Sequence, residues 1–178
     1  NAKDDLPELD FNGTTIRVLS RGGDYDTKIE FNIEEATGEI VEDAVFNRNK
    51  SVEERLNVVI ENIVTDNTRH NGNHEVIRQS VLAGSDDFDV IANMLNGTMP
   101  LVLENMFYDL NKLDYIDPSK GWWNQTLSEL SMITSGLYAI TGQLSLTSIS
   151  GVYCMFYNST LFNEVSDDNI YDVVNNGD

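Results

Sequence analysis

The chain has 178 residues, enough for one domain that buries about 70% of the surface its unfolded form exposes. Apolar residues make up 40% and aromatics 9%, which excludes a disordered chain. Lys and Arg total 11 against 30 Asp and Glu, and the net charge of −19 repels nucleic acid and anionic lipid headgroups, so polyanion partners are excluded.

Residues 1–13 are polar, with Pro7 and the turn-like pair Asn12-Gly13, and read as a tether into the first strand. That strand is Thr14 to Ser20, β-branched and bounded by Gly22-Gly23. Val41, Val45, Val52 and Leu56 recur at helical spacing with Arg48, Lys50, Glu53, Glu54 and Arg55 on a wet face, so a helix is expected from about Val41 to Leu56, ended by Asn57. Val58 to Val64 follows as a second strand. His74 to Ala83 reads as a helix stopped by Gly84, and Phe88 to Ala92 as a short strand apolar enough for burial on both faces.

Strand, helix, strand, helix, strand implies right-handed crossovers and an α/β fold with a mainly parallel sheet and helices on both faces. Ligands of such sheets bind beyond the carboxyl ends of the strands, where strand order switches. The loops Arg21 to Asp26 and Asn93 to Gly97 are therefore candidates. Beyond them the pattern suggests a helix over Thr98 to Met106, strands at Leu137 to Ile140 and Val152 to Tyr157, and helical pieces at Thr160 to Val165 and Ile170 to Val174. The small polar stretch between the two later strands suits a crossing between lobes. Cys154, the one cysteine, lies in an apolar run and is expected to be a small buried hydrophobe; it excludes an intramolecular disulfide. No apolar run reaches the ~18 residues of a membrane-spanning helix.

Phosphate-cradling, dinucleotide, nucleophile-elbow and zinc-helix motifs are all missing, so no catalytic residue, metal or cofactor is expected. His70 and His74 are four apart, but Gly72 lies between them and two loop histidines is the better reading. Asp24 with Asp26, and Asp86, Asp87 and Asp89, do not match a calcium loop. Sequons begin at Asn12, Asn49, Asn96, Asn124 and Asn158, as chance allows in so Asn-rich a chain. Adjacent Trp122 and Trp123 point to alternate sides, which places one near the surface. An indole beside Asn124 and Gln125 suits stacking on a pyranose, although packing of both under a loop is the simpler alternative.

The segments Glu30 to Glu39, Val45 to Val58 and Ser80 to Ile91, the tract Leu110-Asn111-Lys112-Leu113 with Lys120-Gly121-Trp122-Trp123-Asn124-Gln125, and Tyr153 to Asn158 together resemble, in order, the family 1 extracellular solute-binding proteins of bacterial ABC importers. The resemblance implies a lobe of the type II periplasmic-binding-protein kind, with a ligand held between two α/β lobes and closure recognised by permease subunits. It implies an extracellular protein, lipid-anchored to the outer face of the cell membrane. Members of the family are about twice as long or more. The expected division is thus a tether at 1–13, the N-terminal lobe at 14–150 and the start of a second lobe at 151–178. The function expected is reversible binding of a small polar solute, a sugar or oligosaccharide, without covalent chemistry or cofactor. Arg21, Asp24, Asn93 and Asn96 would bond hydroxyls, and Trp122 or Trp123 would stack. Against this stand two alternatives: a fragment of a carbohydrate-active hydrolase with a carboxylate pair, and an interaction domain without a small ligand.

Overall fold

The computed structural model describes residues 4–22, 30–31, 33–66, 72–130, 132–133, 135–151, 154 and 156–176. Its first half runs β1 (Thr14–Arg21), α1 (Ile40–Leu56), β2 (Val58–Thr65), α2 (His74–Ala83), β3 (Val90–Ala92) and α3 (Leu95–Leu103). The three strands form a parallel sheet in the order β2-β1-β3. β1 pairs β2 in register from Thr14 with Val58 to Arg21 with Thr65, and β3 from Val18 with Val90 to Ser20 with Ala92. The protein is therefore α/β.

Local chemistry accounts for the element ends. Asn57 takes the left-handed conformation (φ 51°) and its N–H donates to Glu53 O, closing α1. One residue later the chain is already in β2, whose Ile60 N–H donates to Glu53 Oε1 at 2.9 Å. Gly84 (φ 63°) closes α2 in the same way, since the conformation costs glycine nothing. Asn12 (φ 55°) and Gly13 (φ 74°) make the turn into β1.

The strand order reverses direction after β2, so two right-handed crossovers place α1 and α2 on opposite faces of the sheet. Val18, Leu19, Ser20 and Arg21 are all buried, and because successive strand side chains point to opposite faces, both faces of this half of β1 are covered. The core is Leu19, Ile77 of α2 and Leu101 of α3, with Ile63, Phe88, Ile91, Met106 and Phe107 against it.

Several expectations need correction. The third helix runs Leu95–Leu103 rather than Thr98 to Met106, with Pro100 in its interior. The missing N–H is outweighed by the burial of Gly97, Leu101 and Val102 on the core face. β3 is an edge strand and Val90 is 49% exposed, so it is not buried on both faces. The polar segment expected as a tether is fastened instead: Phe11 N–H donates to Leu56 O, Asn57 Nδ2 to Asp10 Oδ1, and Arg55 to both carboxylate oxygens of Asp4.

The second half carries a 3-10 turn at Leu110–Lys112, α4 (Gln125–Leu130), β4 (Met132–Ile133), β5 (Gly136–Leu137), α5 (Leu146–Ser150), α6 (Ser159–Val165) and α7 (Ile170–Asn176). The strand expected at Leu137 to Ile140 is reduced to β5, paired antiparallel with β4, and the chain then turns to an isolated bridge between Gly142 and Trp123. Three residues of the expected strand Val152 to Tyr157 lie outside the described ones; Cys154, Phe156 and Tyr157 form no strand, and Cys154 is exposed rather than buried. The polar stretch read as a crossing contains α5. Its Thr147 N–H donates to the buried Glu30 Oε1 at 2.6 Å, and Ser145 Oγ lies 3.4 Å from the same oxygen. Neither α6 nor α7 buries a described residue. Among the described residues no helix is long and apolar enough to cross a membrane.

Candidate functional site

The carboxyl edge of the sheet is where strand order switches, with β1 central. Gly22 N–H donates to Thr65 O at 2.9 Å, holding β1 and β2 together to their ends. The approach is close: a Cβ at Gly22 would stand 2.9 Å from Thr65 O and 3.3 Å from Val64 Cγ1. Continuing the β1–β3 register by one residue puts Asn93 beside Arg21. Laterally paired residues of a parallel ladder share a face, so Arg21, Thr65 and Asn93 line up on the face covered by α2.

Polar groups concentrate there. Arg21 is 1% exposed and Asn73, the N-cap residue of α2, is 0% exposed. Thr65 Oγ1 donates to Asn73 Oδ1 at 2.5 Å, and Met94 N–H donates to Asn93 Oδ1 at 2.9 Å. The Nδ2 atoms of Asn73 and Asn93 and the Nε2 of His74 are buried without a hydrogen-bond partner. On the opposite face Ser20 Oγ donates to Asn62 Oδ1 at 2.7 Å, leaving Asn62 Nδ2 in the same condition. A buried polar atom without a partner costs about 1–3 kcal/mol, and the Asn73 and Asn93 amides at one end of the sheet are where a ligand rich in oxygen would recover that cost. No family model matches the chain, and no curated protein or solved structure matches it.

Of the residues expected to bind, the fold brings Arg21 and Asn93 together. Asp24 lies outside the described residues. Asn96 is not in a loop: it is the second residue of α3 and is exposed. Trp122 and Trp123 are elsewhere. They line a pocket of about 250 Å³ with Asp4, Asp5, Leu6, Tyr115, Asp117 and Lys120. Asp4 is pinned to Arg55 in the last turn of α1, just ahead of β2, so this pocket belongs to the amino end of the sheet. Both indoles are half-buried, whereas one was expected at the surface.

Asn73, Thr65 and Asn62 escape sequence reasoning. Only Asn73 carried a signal, as an N-cap residue type directly ahead of the helix begun by His74. The acidic residues after α2 also prove to have a task other than calcium. Arg17 Nε donates to Asp89 Oδ2 at 3.1 Å, its Nη2 to Asp89 Oδ1 at 2.9 Å and to Asp86 Oδ1 at 2.8 Å, and its Nη1 to Asp86 O. The side-chain bonds to Arg17, helped by the Arg17 N–H, hold the Asp89 carboxyl below its usual range. Among the described residues no group of His, Cys, Asp and Glu is arranged to hold a metal ion, and His70 lies outside them.

Proposed function

We propose that this chain is a ligand-binding lobe of the type II periplasmic-binding-protein kind, from an extracellular solute-binding protein that delivers a small polar solute to an ABC permease. The solute is a sugar or oligosaccharide, bound reversibly and without covalent chemistry, and the protein works at the outer face of the cell membrane. The single observation that carries this reading is the carboxyl edge of β1 and β3, where Arg21 and the unsatisfied amides of Asn73 and Asn93 are gathered at the switch point of a parallel sheet. Amide and guanidinium donors suit hydroxyl and ring oxygens, and their burial suits a ligand that is enclosed rather than surface-bound.

The test is thermal melting of the chain against mono- and oligosaccharides at millimolar concentration, because a ligand bound only by the folded state raises the midpoint. A shift with one sugar class is expected, and Asn93→Leu should abolish it. Hydrolysis of any panel sugar, detected as released reducing ends, would instead favour a hydrolase.

A further inference from the structure

Every tryptophan of the chain stands in the wall of the pocket at the amino end of the sheet, since Trp122 and Trp123 are the two that it has. With Tyr115 they supply three aromatic side chains, and Asp4, Asp5 and Asp117 supply three carboxylates. The basic residue in the lining is Lys120, whose Nζ lies 3.0 Å from Asp5 Oδ2, 4.0 Å from Asp117 Oδ2 and 6.0 Å from the centroid of a Trp122 ring. An ammonium group over an indole face, flanked by carboxylates, is the arrangement by which proteins recognise ligand cations. Here the cation belongs to the protein.

We propose that this pocket is a binding site for a small organic cation, a primary or quaternary ammonium, and that the Lys120 ammonium holds the Asp5 and Asp117 carboxylates at its wall in the unliganded state. Three arguments converge. Asp4 is paired with Arg55, but Asp5 and Asp117 still outnumber the one lining ammonium of Lys120, and the net charge of −19 draws cations towards the pocket. The rings favour a cation over a neutral polar group because their faces are negative. The volume of about 250 Å³ beside Lys120 is below that of pockets for drug-sized ligands, about 300–1,000 Å³, which suits a small occupant. Lys120 is on a flexible stem and can swing out, leaving its carboxylates to the ligand. The site is separate from the strand edge and does not rest on the sugar reading.

Because both tryptophans line the pocket, intrinsic fluorescence reports on it directly. The intact chain is titrated with tetramethylammonium chloride, with sodium chloride at equal ionic strength and with glucose as a neutral solute. A saturable change with tetramethylammonium alone is expected. Lys120→Met and Lys120→Gln, which remove the internal competitor, should each bind about threefold more tightly, and Asp117→Asn about threefold more weakly. An equal response to sodium chloride, a response to glucose instead, or no saturable response in either wild type or a folded Lys120 variant overturns the proposal.

Discussion

At Asn57 the backbone adopts φ 51° and ψ 58°, a conformation that glycine and asparagine tolerate and β-branched residues do not. Asn57→Gly keeps the backbone conformation and loses only the Nδ2 bond to Asp10, at about 0.5–1.5 kcal/mol, whereas Asn57→Val should cost about 1–2 kcal/mol more in urea unfolding, with m unaltered. Gly22 is constrained by space rather than by φ. A Cβ there meets the Thr65 carbonyl, which is backbone and cannot yield, so Gly22→Ala should cost about 1–3 kcal/mol and loosen the carboxyl edge. Gly142 is tighter still, with a Cβ 2.0 Å from Trp122 O. Of these roles, that of Asn57 was readable from residue type and position alone. The glycine clearances were not, because they depend on which backbone segment passes alongside.

Elements with strong periodicity and local stop signals were legible: β1, α1, β2 and α2 fall within a residue of their expected bounds. Each carries its own pattern and terminator, so no distant partner is needed to define it. α3 was displaced by three residues because it lacks a strong local pattern, while burial of Gly97, Leu101 and Val102 in the core is a tertiary effect. Leu137 to Ile140 and Val152 to Tyr157 were read as strands from composition, yet β-propensity is realised only where a neighbouring strand offers a ladder. Beyond the short pairing of β5 with β4, Leu137 N–H goes to Asp109 Oδ1 at 3.1 Å and Gln143 N–H to Trp122 O at 3.0 Å, so residues 137–143 bond largely to loops. The core makes the sharpest prediction at this scale. Ile77→Ala removes the α2 contribution to the Leu19–Leu101 cluster and should cost about 2–5 kcal/mol, read as a lower urea midpoint.

For the whole molecule, two opposing effects set the dependence on pH. The Asp89, Glu104, Asp117 and Asp5 carboxyls are all held below their usual range, by bonds to Arg17, Arg78, Ser119 and Lys120 respectively, and Asp4 is lowered to about 2 by Arg55. Groups with depressed folded values bind protons more readily in the unfolded state, so the stability they contribute is present above the ordinary carboxylate values of 3.8–4.5 and is lost as pH falls through the folded values. Self-repulsion from a net charge of −19 acts the other way and weakens as pH falls towards the isoelectric point near 4.1. The melting temperature should therefore rise on acidification from pH 7 towards about 5 and fall below about 4. Added salt at pH 7 should raise it by screening the repulsion.

By itself the sequence determined the class of the fold and the order of its first five elements, because hydrophobic periodicity, β-branched runs and left-handed stop residues act over a few neighbours. It also directs attention to the strand ends at Arg21 and Asn93, because topology does so before any coordinate is known, and the site proposed there is for binding experiments to decide. What only the tertiary structure decided is which polar groups meet. Asn73 comes to Thr65 through the crossover of α2, Arg17 finds Asp89 across more than seventy positions, and the two tryptophans are placed with the N-terminal segment at the other end of the sheet from Arg21. Such meetings depend on strand register and helix docking, which are set by burial summed over the whole core, and no local pattern in the chain encodes them.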